Sequence, residues 1–394
     1  MFYLYQLDIM PTASEKINCL NTSFRSLIKA KRYQQQEAFE ATKNADLLLY
    51  VSSGRSEHSF ETGAGEIARN TFKTVFSYND VGFPGDTLDI AASKYERIYD
   101  NPLAIFISAT GETPETVEPL QQMVAYLEQN KASKWSSLLL TQSPNSTAGK
   151  AIEGMGDKGM LLELKGSENF HSKNYPYYGI QRDEFEYANL WFWQALGQAL
   201  IENESSERIT KIIEQKLPQT GKQIDAWMET ESFEECVENH LRHSEAFIAG
   251  RKGGKHVGRF STKRYGQVKQ ALGDGAYFFG GDNTPNPRVG DTVHLISKSG
   301  GKRDYYSDAL NEKPYILDLA ERSKKVGAIV YSYVGTKDSP LEAASHFTIV
   351  VDSNEPRNYS DVYCRIATIQ GVIPLVVAQR AGIRPEELRK RHGF

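Results

Sequence analysis

The sequence predicts an α/β fold built twice in tandem, each copy a parallel sheet with helices on both faces, and three observations predict it. Short apolar runs alternate with helix-like segments along most of the 394 residues. The order of these segments in the first half returns in the second. The apolar runs end in turns rich in Gly, Ser and Thr, as strands do where they hand over to helices.

Element by element, a helical stretch from about Ser23 to Asn44 leads into Ala45-Asp-Leu-Leu-Leu-Tyr-Val51, an apolar run closed by Ser52-Ser-Gly-Arg-Ser56. A helix to about Asn70 follows, then the strand-like Phe72-Lys-Thr-Val-Phe76 and the inner run Leu103-Ala-Ile-Phe-Ile107. Pro114 opens a helix to about Asn130, where its missing N–H costs nothing, and Ser137-Leu-Leu-Leu-Thr141 is the next strand. In the second half Glu245–Gly254 answers Leu47–Ser56, Asp291–Gly300 answers Leu103–Gly111, and Val326–Tyr331 answers Ser137–Thr141. Between the halves, Glu184 to Lys216 is rich in Trp, Phe, Leu and Ala and reads as one or two packed helices ending at Pro218. The expected division is a first domain over 1–183, a helical connector over 184–218, and a second domain over 219–394 with a terminal helix and tail.

Composition narrows the function. With 46 basic against 50 acidic residues and a net charge of −4, nothing points to nucleic acid or an anionic membrane as partner, so an anion site has to be local. The apolar start Met1-Phe-Tyr-Leu-Tyr5 has no basic leader and meets Asp8 early, which makes a cytoplasmic location the expectation. Cys19, Cys236 and Cys364 are far apart and form no C-x-x-C pair, so they read as reduced packing residues, with no disulfide framework and no metal site.

The sharpest chemical signal is Ser108-Ala-Thr-Gly-Glu-Thr113, at the end of an inner strand just before a helix. In an open α/β sheet that is the ligand crevice, where a helix N-terminus presents unpaired N–H groups to an anion. The hydroxyls of Ser108, Thr110 and Thr113 add donors; the simpler alternative is that they cap the helix. A second turn, Ser53-Gly54-Arg55-Ser56, points at the same edge, and Arg55 can meet an anion bidentately or lie in an interdomain ion pair.

These two loops, read as Ser53–Ser59 and Ile107–Thr113, resemble the pair that defines the sugar isomerase (SIS) domain. In that family a G-x-S turn and an S-x-S-G-E-T loop hold the phosphate of an open-chain hexose phosphate. The resemblance implies two flavodoxin-like SIS domains. It puts Gly54, Arg55, Ser56, Ser108, Ala109, Thr110 and Thr113 around the anion, with Thr110 replacing a Ser by another hydroxyl. The first half is also similar to the isomerase part of glucosamine-6-phosphate synthase at Gly54-x-Ser56-x-His58-Ser59, which makes His58 a candidate sugar contact. Gln181 and Arg182 fall where two-SIS enzymes carry an interdomain loop that touches the sugar.

The second half resembles 6-phospho-3-hexuloisomerase, at Ile248-Ala-Gly-Arg251, at Asn283-Thr-Pro with Gly290-Asp291, at Ile296-Ser-Lys-Ser-Gly300, at Asp338-Ser-Pro-Leu341 and along the tail Gly382–His392. Its departures are specific. Ser299-Gly-Gly-Lys302 stands where that family has S-G-E-T, the first turn has become Gly250-Arg-Lys-Gly-Gly254, and Tyr363 takes the place of a Glu implicated in proton transfer. Either the second site is lost, or Lys298 and Lys302 serve a remodelled one.

The resemblance implies an aldose–ketose isomerase acting on an anionic hexose, a sugar phosphate or a sulfosugar, by proton transfer without a cofactor. Glu112, His256 and the tail residue His392 are its candidate catalytic groups. Each has a plainer role open to it: Glu112 in holding its loop, His256 at the surface, and His392 in a solvated basic helix end. Two other functions fit the same cradle, a non-catalytic sugar-phosphate-binding regulator and an amino sugar phosphate deaminase or deglycase. SIS proteins usually dimerise through helices, so a homodimer built on the aromatic connector is expected.

Overall fold

A computed structural model describes residues 31–81, 87–164, 183–279, 284–302, 314–351, 361–384 and 387–388. Gln181, Arg182, His392 and Cys19 lie outside the described residues. The first half runs α1 Arg32–Asn44, β1 Leu47–Val51, α2 Gly54–Asn70, β2 Thr74–Ser77, α3 Tyr78–Val81, α4 Leu88–Tyr95, β3 Pro102–Ile107, α5 Pro114–Gln129, β4 Ser136–Thr141, α6 Thr147–Gly154 and β5 Gly159–Glu163. Three helices follow, α7 Asp183–Ile201, α8 Glu207–Met228 and α9 Glu231–Leu241. The second half runs β6 Ala246–Gly250, α10 Gly253–Leu272, β7 Ala276–Phe278, β8 Thr292–Ser297, α11 Tyr315–Lys325, β9 Ile329–Val334, α12 Pro340–Ala344, β10 Phe347–Val350 and α13 Val362–Arg380.

Both sheets are five-stranded and parallel, with orders β2-β1-β3-β4-β5 and β7-β6-β8-β9-β10. Counted within each sheet, the order is 2-1-3-4-5 both times, the flavodoxin-like winding whose ligand crevice opens where the chain reverses direction, between the first and third strands. The first and third strands of each sheet are buried almost along their full length, as a sheet covered on both faces requires. Gly54 and Gly253 open the following helices at the same offset from strands β1 and β6, so the repeat read in the sequence is a repeat of structure.

Each sheet has its own outer core, one around Phe106, Leu139 and Trp135 and the other around Phe247, Leu295 and Val330. The inner faces share one core, in which α7 and α13 lie with α2 and α10. Trp191, Phe192 and Trp193 of α7 are fully buried in it. That corrects the expectation that the aromatic connector forms a dimer interface: a single chain already encloses these rings, removing about 150–250 Å² of each from water. Trp191 Nε1 donates to Thr368 Oγ1 at 3.2 Å and Cys364 Sγ donates to Gln194 Oε1 at 3.1 Å, pinning α7 to α13.

Several elements differ from the sequence reading, among them β9, which runs Ile329–Val334 where the reading has it over Val326–Tyr331. Strand β2 begins at Thr74, leaving Phe72 exposed. Helix α8 runs through Pro218 to Met228 instead of ending there. Proline removes one helical hydrogen bond, but the face carrying Leu217, Thr220, Ile224 and Trp227 is buried and holds the helix together. Among the described residues one helix, α13, is long and apolar enough to cross a membrane, and its side chains are buried in the core.

Candidate active site

The loop over residues 108–113 follows β3, and its shape depends on a single glycine. Gly111 has φ +66°, and a Cβ placed there would lie 1.9 Å from Ser146 Oγ, so only glycine fits. Ser146 caps α6 by accepting from Gly149 N, and Ala148 N donates to Gly111 O at 3.0 Å, which locks the loop to the neighbouring helix start. Held this way, the loop turns three hydroxyls toward one another. Ser108 Oγ lies 3.0 Å from Thr113 Oγ1, and Thr110 Oγ1 lies 3.4 Å from both.

Thr113 is the residue before α5, yet its side chain makes no capping hydrogen bond. Its hydroxyl faces Ser108 instead, so the plain helix-capping alternative does not hold for Thr113. Ser108 Oγ also accepts from Gly111 N, and Thr110 Oγ1 from Glu112 N, both at 3.0 Å. Ala109 is buried, its carbonyl accepting from Gln142 N. Glu112 is exposed and accepts from Thr147 N at 2.8 Å; that backbone N–H holds its carboxyl below the usual range. Glu112 thus ties the loop to the N-terminus of α6.

The β1 turn joins this edge through Ser52 Oγ, which donates to Ile107 O at 3.0 Å. Gly54 has φ +62° with open space around it, so conformation and not crowding calls for glycine there. Arg55 crosses to the other half, its guanidinium 4.2 Å from the Phe260 ring centroid and 5.9 Å from that of Tyr187. The hydroxyl of Ser56 is engaged away from the three-hydroxyl group: it donates to Glu186 Oε1 at 2.7 Å, while Ser59 Oγ donates to Glu186 Oε2 at 3.2 Å. Asn189 completes that buried network through the Ser56 carbonyl and Ser59 Oγ.

His58 and His256 come from different halves and meet on one carboxylate. Glu61 Oε2 lies 2.9 Å from His58 Nδ1 and 2.8 Å from His256 Nδ1, and Tyr50 Oη donates to Glu61 Oε1 at 2.9 Å. Glu61 is 8% exposed and His256 30%, so the cluster opens to solvent on the His256 side. Burial by itself would raise the carboxyl's pKa; the hydrogen bonds from His256 and His58 outweigh it and hold Glu61 well below the ordinary carboxylate range. Burial and the Glu61 charge push Tyr50 up, so it stays a neutral donor.

A depressed carboxylate pKa stabilises the fold at pH values above the unfolded pKa of about 4.3, and that contribution is lost as pH falls through the lowered folded value. Thermal unfolding midpoints are therefore expected to drop below about pH 4.3 in the native chain and to drop less steeply in Glu61→Gln. Equal acid sensitivity in both proteins would remove Glu61 as the cause.

Glu61, Tyr50, Glu186 and Asn189 were not singled out in the sequence. The His58-x-x-Glu61 spacing places two side chains on one helix face and was the available signal. His256 as their partner has none, since the contact spans 195 residues.

At the second edge the loop keeps the shape and two of the three hydroxyls, Ser297 and Ser299, while Gly301 and Lys302 stand where the first loop has Glu112 and Thr113. Gly300 has φ +58°, a Cβ there would lie 2.3 Å from Ser339 Oγ, and Leu341 N donates to Gly300 O at 2.9 Å, repeating the Gly111–Ser146–Ala148 arrangement. Lys302 Nζ turns to Lys337 O at 3.2 Å, and burial lowers the pKa of Lys298. Tyr363 packs on the first turn, its ring 2.4 Å from where a Gly253 Cβ would stand.

Two parallel 2-1-3-4-5 sheets in one chain, sharing an inner helical core, are the architecture of the tandem SIS phosphosugar isomerases, and this chain has that fold. Among solved structures it is similar to a candidate tagatose-6-phosphate ketose/aldose isomerase of Clostridium novyi NT (TM-score 0.65, 11% identity, covering 97% of this chain and 91% of that one). It is likewise similar to the tagatose-6-phosphate ketose/aldose isomerase of Escherichia coli (0.60, 14%, 96% and 95%). A third likeness is to the C-terminal domain of the glucosamine-fructose-6-phosphate aminotransferase of Francisella tularensis (0.55, 13%, 93% and 94%). At these identities the likeness is one of fold. No protein-family model matches the sequence, and no curated protein sequence matches it.

Proposed function

We propose that the chain is an aldose–ketose isomerase of an anionic hexose, with one complete site formed by the first sheet's loops and closed by the second half. The observation that carries this reading is the pairing of a three-hydroxyl cradle at the end of β3 with a carboxylate shared by two histidines beside β1. In the cradle, Ser108, Thr110 and Thr113 exchange hydrogen bonds with one another for bonds to the ligand's phosphate or sulfonate oxygens, next to the N-terminus of α5.

Isomerisation moves one proton between adjacent carbons and needs a group to take it and a group to return it. When Glu61 accepts an Nδ1–H, the imidazole is set in the tautomer whose lone pair lies on Nε2, the form that accepts a proton. His58 and His256 are the proton carriers on this reading, and Glu61 positions both. The proton leaves the hydroxyl-bearing carbon beside the carbonyl and returns to the former carbonyl carbon, while the hydroxyl proton passes to the former carbonyl oxygen through the cis-enediol, so the reaction balances without an oxidant. Arg55, lying against Phe260, and Ser56, held by Glu186, shape the wall between the halves. The halves act as domains over 1–183 and 219–394, in a cytoplasmic homodimer.

The test is a thermal-shift screen against hexose 6-phosphates, amino sugar 6-phosphates and a 6-sulfonated hexose, with each binder followed by NMR. Binding with aldose–ketose conversion is expected, and Thr113→Val should weaken binding by about 10–100-fold, the loss of one hydrogen bond to a charged group. The packing of Tyr363 against Gly253, in the turn after β6, favours a second reading, a sugar-phosphate-binding regulator. Binding without conversion would establish that one instead, and ammonia release from an amino sugar phosphate would establish a deaminase.

A further inference from the structure

A buried cluster away from both strand-edge loops joins α9 to the second sheet. Cys236 and His240 stand one turn apart on α9, spacing that puts both on one face, and His294 reaches them from the central strand β8. All three are within 1% of full burial. The thiol sulfur and one nitrogen of each ring lie within 4.8 Å of one another. The two rings meet head to head, Nε2 to Nε2 at 2.9 Å, with planes 14° apart.

We propose that Cys236, His240 and His294 form a site for a thiophilic d10 metal ion, cuprous or zinc, which staples α9 to the second sheet. The far side of each ring supports this. Tyr333 Oη lies 3.0 Å from His294 Nδ1, and Thr292 Oγ1 lies 3.5 Å from His240 Nδ1. Ring Nδ1–H groups donated to such oxygens leave both Nε2 lone pairs turned inward, the outer-shell arrangement that metal-ligating histidines have. A thiolate with two imidazoles selects soft and borderline ions over calcium or magnesium.

Charge distinguishes the two candidates. One thiolate neutralises a monovalent ion fully, whereas a divalent ion leaves a unit of positive charge in the core, where unpaired charge is costly. The Tyr331 hydroxyl, which accepts from Asn239 Nδ2 at 2.9 Å, lies beside the Cys236 thiol and is a further polar group at the edge of the cluster. The cluster explains why spacing of the cysteines among themselves shows no site: two of the three ligands are histidines, and one comes from a distant strand.

The test is elemental analysis of the full-length chain, expressed with added zinc and copper and purified under reducing conditions without chelator. About one metal ion per chain is expected, falling to under about a tenth in Cys236→Ala and in His294→Gln, with circular dichroism and phosphate binding at the first-sheet cradle unchanged. Zinc content and copper content report which ion is held. Should the variants fail to fold, X-ray absorption of the native protein decides, with one sulfur at about 2.3 Å if the metal is zinc. Native protein with under about a tenth of an equivalent of either metal, or metal retained in folded Cys236→Ala, overturns the proposal.

Discussion

Replacing Gly111 by alanine is expected to abolish ligand binding at the first sheet and to lower the melting temperature by about 2–6 °C. Two costs combine. A non-glycine residue in the left-handed region costs about 1–2 kcal/mol, and forcing a methyl group into filled space costs about 1–3 kcal/mol. The methyl would lie 1.9 Å from Ser146 Oγ, the atom that caps α6, so relief comes only by moving the loop or the helix. Either movement separates the hydroxyls of Ser108, Thr110 and Thr113. Gly300→Ala is the matched control, since its Cβ meets Ser339 as closely and at a similar φ. It should cost comparable stability and leave phosphate binding at the first loop intact. Scanning calorimetry and phosphate titration of the two variants check this; a Gly111→Ala protein that binds as the native chain does would place the ligand elsewhere.

Glu61→Gln is expected to reduce turnover by about 10²–10⁴-fold, the usual contribution of a positioned proton-transfer group, with ligand affinity changed little. The amide is nearly isosteric, but its nitrogen is a donor and its oxygen carries no charge. It holds the two imidazoles that Oε2 of Glu61 holds at 2.9 and 2.8 Å only through weaker, uncharged bonds, and its NH2 group takes the place of the oxygen that accepts from Tyr50 Oη. Stability should fall by about 2–4 kcal/mol, since buried hydrogen bonds to a charged group are lost. The pH–rate profile separates positioning from packing: with the carboxylate gone, the limb set by imidazole titration should move, which a merely structural role would not cause. Unchanged turnover and profile in a folded Glu61→Gln protein would exclude the cluster from the chemistry.

Much of the architecture was legible in the sequence because it is written locally. Apolar runs at strand length, the small-residue turns after Val51 and Ile107, and Pro114 at a helix start each specify an element within a few residues, and the repeat of that order specifies the second sheet. Ser108-Ala-Thr-Gly-Glu-Thr113 was legible for the same reason, since one loop holds its glycine and all three hydroxyls. Helix α8 shows the limit of local signals: Pro218 is a helix-ending residue by its own chemistry, and a buried face formed with distant residues overrides it.

Only the tertiary structure decided which polar groups from distant elements meet. Arg55 offers a guanidinium suited to an anion, and the fold lays it on Phe260; Ser56 offers a hydroxyl to the same edge, and the fold gives it to Glu186. His256 acquires Glu61 as its partner, and the Cys236–His240 pair acquires His294, through contacts between segments far apart in the chain. The physical reason is common to all four. Periodicity and turn chemistry are short-range properties of the backbone, whereas a side chain's hydrogen-bond partner is set by the packing of whole helices in the shared inner core. That packing follows from the sum of many buried contacts, and no single stretch of sequence carries it.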